Sequence, residues 1–110
     1  MEDVLVEQCI FGVYAYGTAG VGRCTNVEVR QCGWSGVVAS EGASITLVGT
    51  ETSIHDNCTD GDSDGYGLNV VDSSSTIQLV SPLTKETTSI NNGGGGNWSA
   101  QNDYIHTINE

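Results

Sequence analysis

The amino-acid sequence predicts an all-β solenoid, a chain wound into about three to four coils with three short strands in each. Three observations carry that expectation. Short β signals return in a fixed order with a period in the twenties, as in stacked repeats. Gly makes up 15 of the 110 residues and Pro one, while Ser, Thr and Asn crowd the gaps between Val- and Ile-rich runs. No window holds a sustained apolar period of 3.6 residues, so no helix is expected beyond a turn near the C-terminus.

The first strand signal spans residues 4–9 and returns at 27–32 and, more weakly, at 53–58. The second is Gly12-Val13-Tyr14-Ala15, then Gly36-Val37-Val38-Ala39 and Gly67-Leu68-Asn69-Val70. Val21 opens the third, which returns at Ile45-Thr46-Leu47-Val48 and Ile77-Gln78-Leu79-Val80. A fourth first-strand signal, Ser89-Ile90-Asn91-Asn92, resembles Ser53-Ile54-His55-Asp56. Gly12 and Gly36 are 24 residues apart, whereas Gly36 and Gly67 are 31 apart, so the growth falls mainly between Cys58 and Gly67. Insertions belong in turns, because lengthening a strand would break its register with the coils on either side.

This phasing makes specific demands. Cys9, Cys32 and Cys58 share one repeat position and should stack as structural thiols, small hydrophobes in a ladder. Gln8, Gln31 and Asn57 precede them and should form an amide ladder at the bend. Phe11 and Trp34 each follow a Cys by two residues and form an aromatic pair. Cys24 aligns with Val48 and Val80, Arg23 falls at the inward position of Leu47 and Leu79, and His55 rather than Ile54 aligns with Val29. The coils are expected over residues 1–92, with 93–110 as a Gly-rich loop and C-terminal tail. Neither end looks capped, so the chain reads as a piece of a longer solenoid, open to end-to-end association.

The acidic insert is the segment with the strongest claim to chemistry. Asp60, Asp62 and Asp64 alternate ahead of Gly65, the first half of a calcium-binding loop. The second half fails the pattern, since the twelfth position counted from Asp60 is Val71. Two readings stand, a solvated acidic turn, which is the commoner case, and a Ca2+ site on Asp60, Asp62 and Asp64.

Fourteen acidic residues against three basic ones give a net charge of −11. That disfavours nucleic acid, which needs a basic stripe, and anionic membrane surfaces. No basic, long apolar leader opens the chain and no run reaches transmembrane length, so neither a secretory signal nor membrane insertion is expected. An extracellular or cell-surface setting is favoured, where the sequons Asn57-Cys58-Thr59 and Asn97-Trp98-Ser99 would matter.

The segments 27–39, 73–86 and 93–98 resemble right-handed parallel β-helix proteins, and in particular the uncharacterised β-helix repeat proteins of marine algae and other protists. The resemblance implies a right-handed parallel β-helix and carries no assigned activity. Fold alone does not fix function across so varied a class. The reading is a non-catalytic structural or interaction module, binding carbohydrate or a protein partner on a flat strand face that includes Trp34 and Tyr14. The alternatives are a fragment of a carbohydrate-active enzyme, with Glu28, Asp56, Arg30 and His55 grouped on the first-strand face, and a calcium-binding surface module.

Overall fold

The computed structural model describes residues 2–61, 64–99 and 104–110. It is a parallel β-solenoid of about four turns, with three strands per turn. The strands run β1 (Leu5–Glu7), β2 (Val13–Tyr16), β3 (Val21–Thr25), β4 (Glu28–Arg30), β5 (Val37–Ser40), β6 (Ser44–Val48), β7 (Ser53–His55), β8 (Tyr66–Val70) and β9 (Thr76–Val80). A single helical turn, α1 (Lys85–Thr88), precedes β10 (Ser89–Ile90), β11 (Gly96–Trp98) and β12 (Ile105–Ile108). Sheet one stacks β1-β4-β7-β10, sheet two β2-β5-β8-β11 and sheet three β3-β6-β9-β12, all parallel.

The core is a set of rows running up the coils, because alternate strand residues point inward. Val6, Val29 and Ile54 make one row from sheet one, closed in the fourth coil by the small Ser89. Val13, Val37, Leu68 and Trp98 come from sheet two. Sheet three supplies Gly22, Ile45, Ile77 and Ile105, with Cys24, Leu47 and Leu79 in the next inward row. The β-branched and Leu side chains in the middle coils are fully buried, each contributing about 1.5–3 kcal/mol over an exposed one.

A sharp bend follows every strand of sheet one, and there Gln8, Gln31, Asp56 and Asn91 all adopt the left-handed conformation, with φ of 59°, 56°, 56° and 55°. The next residue turns inward. In coils three and four it is Asn57 and Asn92, which continue the row begun by Cys9 and Cys32. Asn57 Oδ1 accepts from Cys32 N–H at 3.1 Å, and its Nδ2 donates to Val29 O at 3.1 Å and to Asn92 Oδ1 at 3.0 Å. Asn92 Nδ2 donates in turn to Ile54 O at 3.1 Å, and Asn92 N–H donates to Asn97 Oδ1 at 3.0 Å. The polar ladder thus satisfies backbone groups that the bend removes from the sheet.

Several sequence expectations change by one residue. Ile54 aligns with Val29, and His55 with Arg30. The cysteine row therefore holds Cys9 and Cys32 but not Cys58, whose place Asn57 takes; Asp56, not Asn57, continues Gln8 and Gln31. Likewise β10 pairs Ser89 with Ile54, not with Ser53. In sheet three Val21 aligns with Ser44, so Cys24 meets Leu47 and Arg23 meets Thr46 on the outer face. Arg23 points into solvent and is bound in bidentate fashion by Glu110, at 2.7 Å for each contact. A one-residue slip moves every side chain to the opposite face, and the apolar rows set the phase.

The segment 93–110, read as loop and tail, contributes β11 and β12 to the fourth coil. The helical turn α1 lies just ahead of the fourth coil. Its Thr84 and Thr87 side chains and backbones cap one another reciprocally. The two ends of the solenoid differ. In the fourth coil Leu83, Thr88, Ser89, Ser99 and Ile105 are buried, whereas Val4, Leu5, Ile10 and Val21 of the first coil are exposed.

Candidate functional site

Two outer faces gather the chemistry-bearing side chains. On sheet two, Val13 and Ala15 of β2 pack toward the core, so the pleat turns Tyr14 and Tyr16 outward. Trp34, in the turn between β4 and β5, is held over the first coil by its N–H bond to Ile10 O at 2.9 Å. Phe11 lies between the two, with ring centroids 5.2 Å from Tyr14 and 5.8 Å from Trp34, both edge to face at 65°. The expected Phe11–Trp34 pair is thus part of a larger aromatic group, with Tyr14 49% and Trp34 40% exposed. Asn69, in the same outer row as Tyr14 and Val38, donates to Ser35 Oγ at 3.2 Å beside it. Trp98 packs against the core, with Lys85 Nζ 5.5 Å from its ring centroid.

Sheet one carries a charged outer face. Glu7, Arg30 and His55 form one vertical row through three coils, and Glu28 stands beside it. Arg30 Nε contacts Glu7 Oε2 at 3.0 Å, and its guanidinium lies 3.6 Å from Glu28 Oε2. His55 Nε2 meets Glu28 Oε2 at 2.6 Å, and Nδ1 meets Asp56 Oδ2 at 2.5 Å. The grouping expected of Glu28, Asp56, Arg30 and His55 is present, and Glu7 joins it unforeseen; the alternate spacing of Glu28 and Arg30 in the sequence was the available signal.

The histidine geometry favours the charged ring. An ionised carboxylate only accepts hydrogen bonds, and a neutral imidazole has one N–H. Both contacts are hydrogen bonds only when the ring is an imidazolium. Burial opposes that charge, but the hydrogen bonds and charges of Asp56 and Glu28 outweigh it, and the His55 pKa lies above its ordinary 6.5. A pKa raised on folding gives stability that is complete below pH 6.5 and is lost as pH rises through the folded-state value. The melting temperature is therefore expected to fall across that window, and His55→Gln to flatten the profile there. An unaltered slope in the variant would remove His55 as its source. Chemically, three carboxylates face two cations: both ring nitrogens of His55 are engaged, and Glu28 serves two cations at once.

Of the acidic insert, Asp60 and Asp64 are exposed, while Asp62 lies outside the described residues. Asp60 N–H bonds Gly33 O at 3.0 Å, anchoring the start of the insert to the coil before it. Among the described residues, no group of three His, Cys, Asp or Glu side chains is placed to hold a metal ion. Among the described residues, no helix is long and apolar enough to cross a membrane.

The fold and its faces define a parallel β-solenoid with one aromatic outer surface and one that mixes acidic and basic groups. Comparison with protein-family models, with curated proteins and with solved structures found no match.

Proposed function

We propose that this solenoid is a non-catalytic interaction module that takes neutral carbohydrate on the outer face of sheet two. The observation carrying the proposal is the aromatic group of Phe11, Tyr14 and Trp34, of which Tyr14 and Trp34 are exposed, with the amide of Asn69 farther along the same outer row. Aromatic faces stack on the C–H faces of sugar rings, and an adjacent amide supplies directed hydrogen bonds. A net charge of −11 selects against polyanionic sugars.

Titration with neutral oligosaccharides, followed by calorimetry, tests it. Saturable binding is expected in the wild-type chain, with affinity reduced about tenfold in Trp34→Ala and in Tyr14→Ala and their thermal melts little changed. Binding that is unaffected in both variants, or a blank across a neutral glycan array, rejects the proposal. The exposed Val4, Leu5, Ile10 and Val21 on the first coil favour a second reading, association through that end. Sedimentation of the unliganded protein reads it out: a concentration-independent monomer would exclude it.

A further inference from the structure

Cys9 and Cys32 form a pair unlike the other cysteines. They lie two residues past the first strands of neighbouring coils in one register: Glu7 pairs with Arg30, and Gly33 N–H bonds the Cys9 carbonyl at 2.7 Å. Neighbouring strands lie about 4.8 Å apart, within the range of Cα separations that a disulfide spans. Both sulfurs lean the same way, Cys9 Sγ 3.5 Å from Glu7 O and Cys32 Sγ 3.7 Å from Arg30 O, so the thiols stack side by side. Their accessibilities are opposite. Cys9, in the first coil, is exposed, whereas Cys32, in the second, is fully buried. Cys24 and Cys58 are buried at other positions of the coil.

We propose that Cys9 and Cys32 form a thiol–disulfide exchange site, in which Cys9 captures a small-molecule disulfide and Cys32 resolves it to an inter-coil Cys9–Cys32 bridge. In the first step the Cys9 thiolate attacks one sulfur of the external disulfide. The external S–S bond breaks, a mixed disulfide forms on Cys9, and one small thiolate leaves and takes up a proton. In the second step Cys32 loses its proton and attacks the Cys9 sulfur, expelling the second small thiol. Two protein thiols are oxidised and one external disulfide is reduced to two thiols.

The division of labour follows from position. An external disulfide reaches only the exposed sulfur, so Cys9 is the entry point. Parallel Cα–Cβ bonds hold the stacked Cβ atoms about 1 Å farther apart than a disulfide prefers. Cys9 is placed to make that movement, because it is exposed whereas Cys32 is packed in the core. Burial holds the Cys32 thiol pKa up, so the second step is the slower one and accelerates with rising pH.

The experiment treats the reduced full chain with glutathione disulfide and follows it by intact mass and peptide mapping. Expected for the wild-type chain is a single glutathione adduct on Cys9, then its loss to a species lighter than the reduced chain by two hydrogens, with residues 9 and 32 cross-linked. Cys32→Ser should keep the adduct, and Cys9→Ser should gain neither adduct nor bridge. The wild-type mapping stands by itself if a variant folds poorly. First labelling at Cys24 or Cys58, an adduct on the wild type that persists as in Cys32→Ser, or a Cys9–Cys9 link between two chains would each overturn the proposal.

Discussion

Replacing Asn57 with alanine is expected to destabilise the protein by about 3 kcal/mol or more, since each buried backbone group left without a partner costs roughly 1–3 kcal/mol. Asn57 is 2% exposed and spans three coils. Without it, Cys32 N–H and Val29 O lose their partners, and Asn92 loses a donor. Against a total stability of about 5–15 kcal/mol for a domain, this is a large share. Urea denaturation should show a lower midpoint at unchanged slope. The exposed left-handed row supplies the contrast. Gln31, with φ of 56°, is a position glycine accepts, so Gln31→Gly should shift stability by no more than about 0.5 kcal/mol. Equal losses in the two variants would mean that the bend, not the inner amide, holds the coil.

Gly36→Ala is expected to be the second severe change. A Cβ there would stand 2.7 Å from Ile54 Cγ2, 2.9 Å from Asn57 Nδ2 and 2.9 Å from the Gly67 carbonyl. Two of those neighbours are a core side chain and the inner amide, and the third is backbone, so none yields without disturbing the stack. Overpacking of this kind costs about 1–3 kcal/mol, and displacing Asn57 adds part of the loss described above. Gly22→Ala tests the specificity of the effect. Its Cβ would approach nothing nearer than Ile45 Cγ1 at 3.9 Å, and it would extend an inward row of the first coil. Thermal melts should show a marked fall for Gly36→Ala and little change for Gly22→Ala. Comparable falls would show that glycine is needed along the row for backbone freedom rather than for space.

The architecture was legible because stacking forces like residues into register: the recurring Gly12, Gly36 and Gly67 mark a place where adjacent coils leave no room for a Cβ. What misled was the cysteine spacing. Cys9 and Cys32 do stack, but Cys58 stands one residue beyond Asn57, at a left-handed φ of 61°. An amide and a thiol occupy the same inner position for different reasons, one to bond backbone and one to fill space, and a sequence match by residue identity favours the wrong one. The apolar phase of Val6, Val29 and Ile54 held the correct register. In sheet three, Val21 looked like a strand opener in phase with Ile45, yet it is 78% exposed and pairs with Ser44. In the first coil, apolar residues do not all face inward. The charged face was foreseeable from alternation along β4, whereas the assembly of Phe11 between Tyr14 and Trp34 depends on how two turns fold over one another.

The coil-upon-coil pairing has a kinetic consequence. Among the described strands the shortest pairing, Leu5 with Glu28, closes 23 residues, and the longest, Ile54 with Ser89, closes 35. No strand finds its partner locally, so every turn must close a substantial loop before any ladder forms, a topology that folds slowly. Closure entropy grows only logarithmically with length, however. Lengthening the interval between equivalent glycines from 24 to 31 residues adds about 0.2 kcal/mol. The acidic insert is therefore nearly free in conformational terms, and this solenoid has room to vary its turns while its ladders stay fixed.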